Sequence, residues 1–151
     1  MKARCEELAE PFGVSPERMF KILITPTAVR GWFGASTAII DPREGGSWVA
    51  AFGAGARDTE FVSSFAILKF DPPKRMLLGS GKLFTENKWP IVTNMTTDLI
   101  IEPHASGCTF RIIQELDPYD ELLDDYFDAC VAGWQNSFEG IRNYLHHTAT
   151  E

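Results

Sequence analysis

The sequence has little of what marks several large classes of protein. Its 151 residues include only three cysteines, Cys5, Cys108 and Cys130, and no Cys-x-x-Cys pair. Cysteines so far apart predict neither a disulfide framework nor a zinc site, and they favour a reducing compartment. No apolar run approaches the length of a membrane span, and no apolar signal segment opens the chain. We therefore expect a cytoplasmic protein that does not insert into a membrane.

Positive charge is also scarce. The formal net charge is −7, and lysines and arginines do not cluster anywhere in the chain. Binding to nucleic acids or to anionic membrane surfaces depends on such clusters, so neither partner is expected. The histidines His104, His146 and His147 have no nucleophile or carboxylate partner evident in the sequence. We accordingly predict no catalytic residue, no metal site and no cofactor.

The composition that remains is that of a globular domain. Hydrophobic residues make up 44% of the chain and aromatic residues 12%, and we expect one domain over residues 1–151. The longest regular pattern falls at Asp120–His147, where large apolar residues recur at steps of three and four. This spacing places them on one stripe of a long α-helix. The stripe consists of Leu123, Phe127, Cys130, Trp134, Phe138, Ile141 and Leu145.

Two shorter helices are predicted near the N-terminus. Ser15-Pro16 combines a capping side chain with a proline at the first helical position, and Thr25-Pro26 repeats this combination. The second of these helices should extend to Trp32-Phe33. Residues 3–10, which precede both helices, have a mixed pattern that predicts only a weak strand.

From residue 35 onward the apolar period changes to two, which is typical of strands. Strands are predicted at Thr37–Ile40, Ser47–Phe52, Glu60–Phe70, Arg75–Ser80, Val92–Glu102 and Cys108–Leu116. Gly53–Arg57 is predicted to form a hairpin tip, and Gly81–Pro90 an irregular connection that carries Phe84 and Trp89. Because the connections are short, the strands should pair antiparallel. A curved sheet of about seven such strands around one long helix is an α+β fold.

Acidic residues are concentrated before and within the first turns of the long helix. The run without an intervening base comprises Glu115, Asp117, Asp120, Glu121, Asp124, Asp125 and Asp128. One interpretation is a cation site or an electronegative docking patch. The other is a solvated helix start, where carboxylates complement the positive end of the helix dipole. Spacing alone does not bring metal ligands together, so we favour the helix start.

Glycines at two places have competing interpretations. Asp41–Gly46 contains paired glycines, but no helix start with Lys-Ser or Lys-Thr follows, so a tight turn with Arg43 pairing locally is favoured over a phosphate loop. Gly133 and Gly140 fall inside the long helix, where each costs about 1 kcal/mol relative to alanine. These two glycines either allow close packing or leave space for a ligand.

The order of elements and four local motifs resemble a known family. The motifs are the helix pair from Ser15 to Phe33, the turn Asp41–Trp48, the corner Phe70–Met76 and Gly133-Trp134. Together they resemble the helix-grip fold of the START-like (SRPBCC) superfamily, and more narrowly the family named after the activator of the heat-shock-protein-90 ATPase. The resemblance implies two short helices after the first strand, and an apolar cavity between the curved sheet and the C-terminal helix.

Aromatic and methionine side chains are the candidates for the walls of this implied cavity. The predicted wall residues are Trp48, Phe65, Met76, Met95, Phe110, Phe127 and Trp134. Gln114 should orient the ligand, because strand alternation places it on the same face as Phe110 and Ile112. Access is expected near Gly81–Pro90, since an irregular segment moves more easily than a strand.

These observations predict a non-enzymatic protein that binds a small hydrophobic molecule, a lipid among the candidates. Two alternatives remain open. The first is an enzyme of cyclase or dehydratase type that uses the same cavity. The second is a protein-interaction module that contacts a chaperone or another protein through the acidic helix start. Sheet edges and exposed apolar residues also leave a homodimer open.

Overall fold

A single antiparallel sheet and one long helix dominate the computed structural model, which describes residues 2–53, 59–86 and 88–148. The strands are β1 (Arg4–Phe12), β2 (Thr37–Ile40), β3 (Ser47–Gly53), β4 (Thr59–Asp71), β5 (Arg75–Thr85), β6 (Ile91–Val92), β7 (Thr96–His104) and β8 (Gly107–Leu116). The helices are α1 (Pro16–Ile24), α2 (Pro26–Phe33) and α3 (Asp124–His147), the last preceded by a 3₁₀ turn at Glu121–Leu123. The predicted tip at Gly53–Arg57 lies outside the described residues apart from Gly53.

The sheet order is β1-β8-β7-β5-β4-β3-β2, with the short β6 beside β5. Every pairing is antiparallel, and the register shifts within β4 at Ser64–Ala66 and at Ile67–Lys69. Such irregularities bend a strand and increase its twist, which helps the sheet to curve. The two short helices follow the first strand and α3 lies against the concave face, so the predicted helix-grip fold is confirmed.

Three strand predictions needed correction. The strand predicted at Val92–Glu102 is divided into β6 at Ile91–Val92 and β7 at Thr96–His104. The weak strand at residues 3–10 is a regular nine-residue strand, because β1 pairs with β8 from Arg4 opposite Leu116 to Phe12 opposite Cys108. Tertiary pairing therefore overrides a mixed local pattern. The irregular segment predicted at Gly81–Pro90 is strand as far as Thr85, since β5 continues alongside β4. Among the described residues, no helix is long and apolar enough to cross a membrane.

The two short helices form as predicted, with one difference in their caps. The Ser15 hydroxyl accepts a hydrogen bond from the Arg18 amide at 3.1 Å and so caps α1. Thr25 stands at the start of α2 but does not cap it with its side chain, because its hydroxyl donates to the Lys21 carbonyl at 2.6 Å. The proline at the first turn of α2 is sufficient to begin that helix there.

Buried indole groups join the short helices to the rest of the core. Trp32 Nε1 donates to the Ile22 carbonyl and Trp48 Nε1 to the Leu23 carbonyl, both at 2.8 Å. These two carbonyls belong to the last turn of α1, where helical partners are missing. The two tryptophans thereby tie α2 and β3 to the end of α1, and they satisfy polar groups that burial would otherwise penalise.

The Asp41–Gly46 turn has the structural role that the sequence favours. A Cβ atom at Gly46 would overlap the Asp41 carbonyl, and Gly45 has a φ of +81°, where glycine is favoured. Arg43 Nε donates to Asp41 Oδ2 at 2.8 Å, so the arginine pairs within the turn. The turn also continues the sheet, since the Ile67 amide donates to the Gly46 carbonyl at 2.9 Å.

The two glycines of α3 differ in their surroundings, which gives a test by matched substitution. A Cβ at Gly140 would overlap the Trp32 carbonyl, whereas a Cβ at Gly133 meets no described atom within 4 Å. Gly140→Ala should therefore lower the free energy of unfolding by about 1–3 kcal/mol through overpacking. Gly133→Ala should raise it by roughly 0.5–1 kcal/mol, because alanine is the better helix former.

Urea denaturation of the two variants, followed by far-UV circular dichroism, measures both changes under the same conditions. Equal effects of the two substitutions would contradict the assigned packing of α3.

Candidate functional site

A cavity of about 440 Å³ lies between the concave face of the sheet and the N-terminal half of α3, and it is partly open to solvent. β3, β4 and β5 form one side and α3 the other, while the end of α2 closes a third. This volume falls within the range of roughly 300–1,000 Å³ that is typical of small-molecule sites.

Aromatic side chains make up most of the apolar wall. These residues are Trp32, Phe33, Phe52, Phe61, Phe65 and Trp134. Phe33 stacks on Trp134 with ring centroids 5.2 Å apart, and Phe52 stacks on Phe61 at 4.7 Å. Stacked pairs of this kind contribute beyond the area that they bury, so the wall has a defined shape. None of the described wall residues carries a charge.

The cavity lies where α3 has no side chain to fill the space next to the sheet, at Gly133. At Gly140 the helix backbone contacts the Trp32 backbone, and seven residues earlier on the same helix face Gly133 borders the cavity. Seven residues correspond to about 10 Å along an α-helix. The sequence left two roles open for these glycines, close packing or space for a ligand. Gly140 allows close packing, and Gly133 leaves open space.

The polar part of the wall comprises Ser63, Thr85, Tyr126, Cys130, Asn136 and Ser137. The Ser137 hydroxyl donates to the Trp134 carbonyl at 2.6 Å, so its proton is already committed within the helix. The Tyr126 hydroxyl is buried and has no hydrogen-bond partner among the described residues. Burial is the main cause that raises the pKa of Tyr126, and the neighbouring Cys130 thiol raises it further.

Cys130 follows Tyr126 by one helical turn and also borders the cavity. Burial raises the pKa of the Cys130 thiol to about 11, and the Tyr126 hydroxyl acts in the opposite direction. Since the thiolate is the reactive form of cysteine, this thiol is inert at neutral pH.

Arg4 holds the first turns of α3 against the sheet beside the cavity. Its guanidinium pairs with Asp124 at 2.8 Å and with Asp128, and it lies over the Phe127 ring with Cζ 4.1 Å from the centroid. Tyr119 adds to this network, because its hydroxyl donates to Asp124 Oδ2 at 2.6 Å. Two of the acids in the predicted acidic run are thus engaged within the protein.

The rest of the acidic run shows no convergence on a common centre. Asp120 caps the 3₁₀ turn by accepting from the Leu122 amide at 3.0 Å. Within the part of the chain that the structure describes, no group of three His, Cys, Asp or Glu side chains is placed to hold a metal ion. These contacts agree with a helix start and with local pairing of the carboxylates.

The structure places two of the eight predicted ligand-binding residues, Phe65 and Trp134, in the cavity wall. The other six are Trp48, Met76, Met95, Phe110, Gln114 and Phe127, and they are fully buried outside the wall. They belong to the hydrophobic core, where Phe110, for example, packs edge-on against Phe138 of α3 at 5.9 Å. The sequence therefore predicted correctly that these eight side chains point into the protein. It did not distinguish the side chains that border the cavity from those that fill the core.

Gln114 is the internal polar residue that alternation predicts, with only 2% of its surface exposed. Its Nε2 donates to the Phe127 carbonyl at 3.0 Å, so the side chain joins β8 to the start of α3. The cavity wall does not include it. Phe84 and Trp89 of the predicted access segment are exposed, Trp89 by 94%. Thr85 does border the cavity, so the end of β5 lies beside it.

Sequence reasoning missed most of the wall, although part of it follows from the period of two. Phe61 and Ser63 share a face of β4 with Phe65, and Phe52 shares a face of β3 with Trp48. Extending those alternations toward the β3–β4 connection would have found these residues. Tyr126 lies off the main apolar stripe of α3, and neither spacing nor composition marks it.

Comparison with solved structures shows that other proteins share this fold. A protein from Nitrosomonas europaea has a TM-score of 0.76 at 19% identity, with 97% of each chain covered. A protein from Mesorhizobium loti has a TM-score of 0.75 at 16% identity, covering 96% of this chain and 98% of the other. At these identities the likeness establishes the shared fold alone.

The particular family follows from the sequence. Residues 13–146 match the family described as Activator of Hsp90 ATPase homolog 1-like protein, and the chain belongs to this family. No curated protein matches the sequence significantly. The predicted family is thereby confirmed on both sequence and fold.

The raised pKa of Cys130 predicts how stability depends on pH. An ordinary thiol with a pKa of 9.0 ionises in the unfolded chain from about pH 9, whereas Cys130 in the folded protein stays neutral until about pH 11. Ionisation therefore favours the unfolded chain in this interval. The contribution of Cys130 to stability is complete below pH 9 and is lost as the pH rises through 11.

Urea denaturation of the wild type and of Cys130→Ala at pH 8, 9, 10 and 11 measures this effect. Between pH 9 and 11 the free energy of unfolding of the wild type should fall by about 1–2 kcal/mol relative to that of Cys130→Ala. Cys5→Ala, at an exposed thiol, should show a much smaller change. Parallel curves for the wild type and Cys130→Ala would contradict the burial of this thiol.

Proposed function

We propose that this protein binds a small hydrophobic molecule in the cavity between the sheet and α3, without transforming it chemically. The observation that carries the proposal is the cavity itself, about 440 Å³ in volume and walled mainly by aromatic side chains. Apolar burial contributes roughly 25 cal/mol per Å² before the costs of association are subtracted. A ligand that fills this space would gain most of its affinity from this term.

A binding role is favoured over catalysis because of the titratable groups in the wall. General acid–base catalysis works best with a pKa near the working pH. Among the described wall residues the ionisable side chains are Tyr126 and Cys130, and burial raises the pKa of both away from neutrality. The described wall residues are therefore suited to apolar contact with a ligand and not to proton transfer near neutral pH. This leaves the cyclase or dehydratase alternative without a supporting observation.

The acidic helix start gives less support to an interaction module. Asp124 and Asp128 both pair with Arg4, which reduces the negative potential that a basic partner would meet. A chaperone or other protein partner and a homodimer have no specific observation in their favour. For location we propose the cytoplasm, because the three cysteines are free thiols and such thiols persist in a reducing compartment.

Filling the cavity from α3 tests the proposal directly. N-phenyl-1-naphthylamine, an apolar fluorescent probe, should bind the wild type saturably with an increase in emission. Gly133→Leu places a side chain where no described atom lies within 4 Å of the Cβ, so it should occupy the cavity and weaken probe binding by about ten-fold or more.

Ala132→Leu is the matched control, because it adds a similar side chain at the preceding, exposed position of the same helix. It should bind the probe as the wild type does. Circular dichroism verifies that both variants remain folded. Failure of the wild type to bind the probe, or equal binding by both leucine variants, would overturn the proposal.

A further inference from the structure

Tyr126 combines two features that the described cavity wall shows nowhere else. Its side chain borders the cavity, and its hydroxyl oxygen is buried without a hydrogen-bond partner among the described residues. The Cys130 thiol is nearby, but the contact does not meet hydrogen-bond geometry. A buried hydroxyl without a partner loses its hydrogen bonds to water without replacement, so native structures rarely retain one without a reason.

Two other buried oxygens lack partners in the described structure, and their position separates them from Tyr126. Thr97 Oγ1 and Gln114 Oε1 belong to residues directly opposite each other on β7 and β8. Neither residue contributes to the cavity wall, so a molecule in the cavity does not reach them. Tyr126 is therefore the orphaned donor whose side chain borders the cavity.

The rest of the wall restricts the kind of molecule that this donor would meet. The wall is aromatic on the α2, β3 and β4 sides and contains no charged residue among those described. A charged ligand group would lose its hydration there without gaining a counter-charge. Flat rings suit the wall, because aromatic groups pack on one another in offset or edge-on arrangements.

On these grounds we propose that the ligand is an uncharged aromatic molecule with one hydrogen-bond acceptor, such as a carbonyl oxygen, and that Tyr126 determines specificity by donating its hydroxyl to that acceptor. This inference rests on the proposed function and names the ligand class for the same cavity. The oxygen is almost inaccessible to water in the ligand-free protein, so the Tyr126 side chain must shift toward the ligand for the bond to form.

A pair of nearly isosteric compounds isolates this hydrogen bond. The pair is 2-acetylnaphthalene, which carries a carbonyl oxygen, and 2-isopropenylnaphthalene, which carries a CH₂ group in its place. Both are measured by displacement of N-phenyl-1-naphthylamine from the wild type and from Tyr126→Phe. Removing the hydroxyl should lower the affinity for the ketone by about five-fold, which is the usual effect of one neutral hydrogen bond. The affinity for the alkene should change by less than about two-fold.

Ser63→Ala is the matched control, because it removes another hydroxyl from the wall and should leave the ketone-to-alkene ratio unchanged. Tyr126→Phe should also unfold at the same or a higher temperature than the wild type, since the deleted group has no partner in the described structure. Infrared spectra of ¹³C-carbonyl ketone bound to the wild type give a test that needs no variant. The carbonyl stretch should lie at lower wavenumber than in hexane.

The outcomes separate this inference from the proposed function. If the probe binds but Tyr126→Phe changes ketone and alkene equally, or the carbonyl stretch matches that in hexane, the role of Tyr126 is overturned and the cavity remains a binding site. If the probe fails to bind the wild type, the proposed function falls and this inference falls with it.

Discussion

The close approach of α3 to α2 at Gly140 is the contact on which the rest of the architecture depends. With no side chain at this position, the helix backbone reaches the Trp32 carbonyl. Trp32 is in turn fixed to the end of α1 by its indole hydrogen bond to Ile22. The C-terminal half of α3 is thereby attached to the helix pair and not only to the sheet, and its direction across the concave face follows from that attachment.

The opposite end of α3 is held by a different kind of interaction. Arg4 on β1 pairs with Asp124 and Asp128 and covers the Phe127 ring, while Gln114 on β8 donates to the Phe127 carbonyl. The helix is thus attached near both of its ends and crosses the sheet between them. The cavity lies along the N-terminal half of α3, from Tyr126 to Ser137, and Gly133 borders it. The close contact at Gly140 begins just beyond the cavity.

This geometry explains how much the sequence could predict. The Ser15 cap, the stripe of α3 and the inward orientation of Phe110 and Gln114 are local properties, since they depend on propensity and period. Whether an inward side chain meets another side chain or a cavity depends on the separation between α3 and the sheet. The Gly140 contact sets that separation, and it joins residues more than a hundred positions apart in the chain. Hence Phe65 and Phe110 have the same pattern in sequence but different surroundings in the structure.

Two departures from the rules of stable folding coincide at the cavity. Gly133 forgoes about 1 kcal/mol of helix propensity without allowing any close contact among the described residues. Tyr126, seven residues earlier on the same face of α3, buries a hydroxyl without a described partner. Departures of this kind tend to occur where function, rather than stability, determines the residue. A bound aromatic molecule would fill the space beside Gly133 and supply a hydrogen-bond acceptor to Tyr126, so one ligand accounts for both departures.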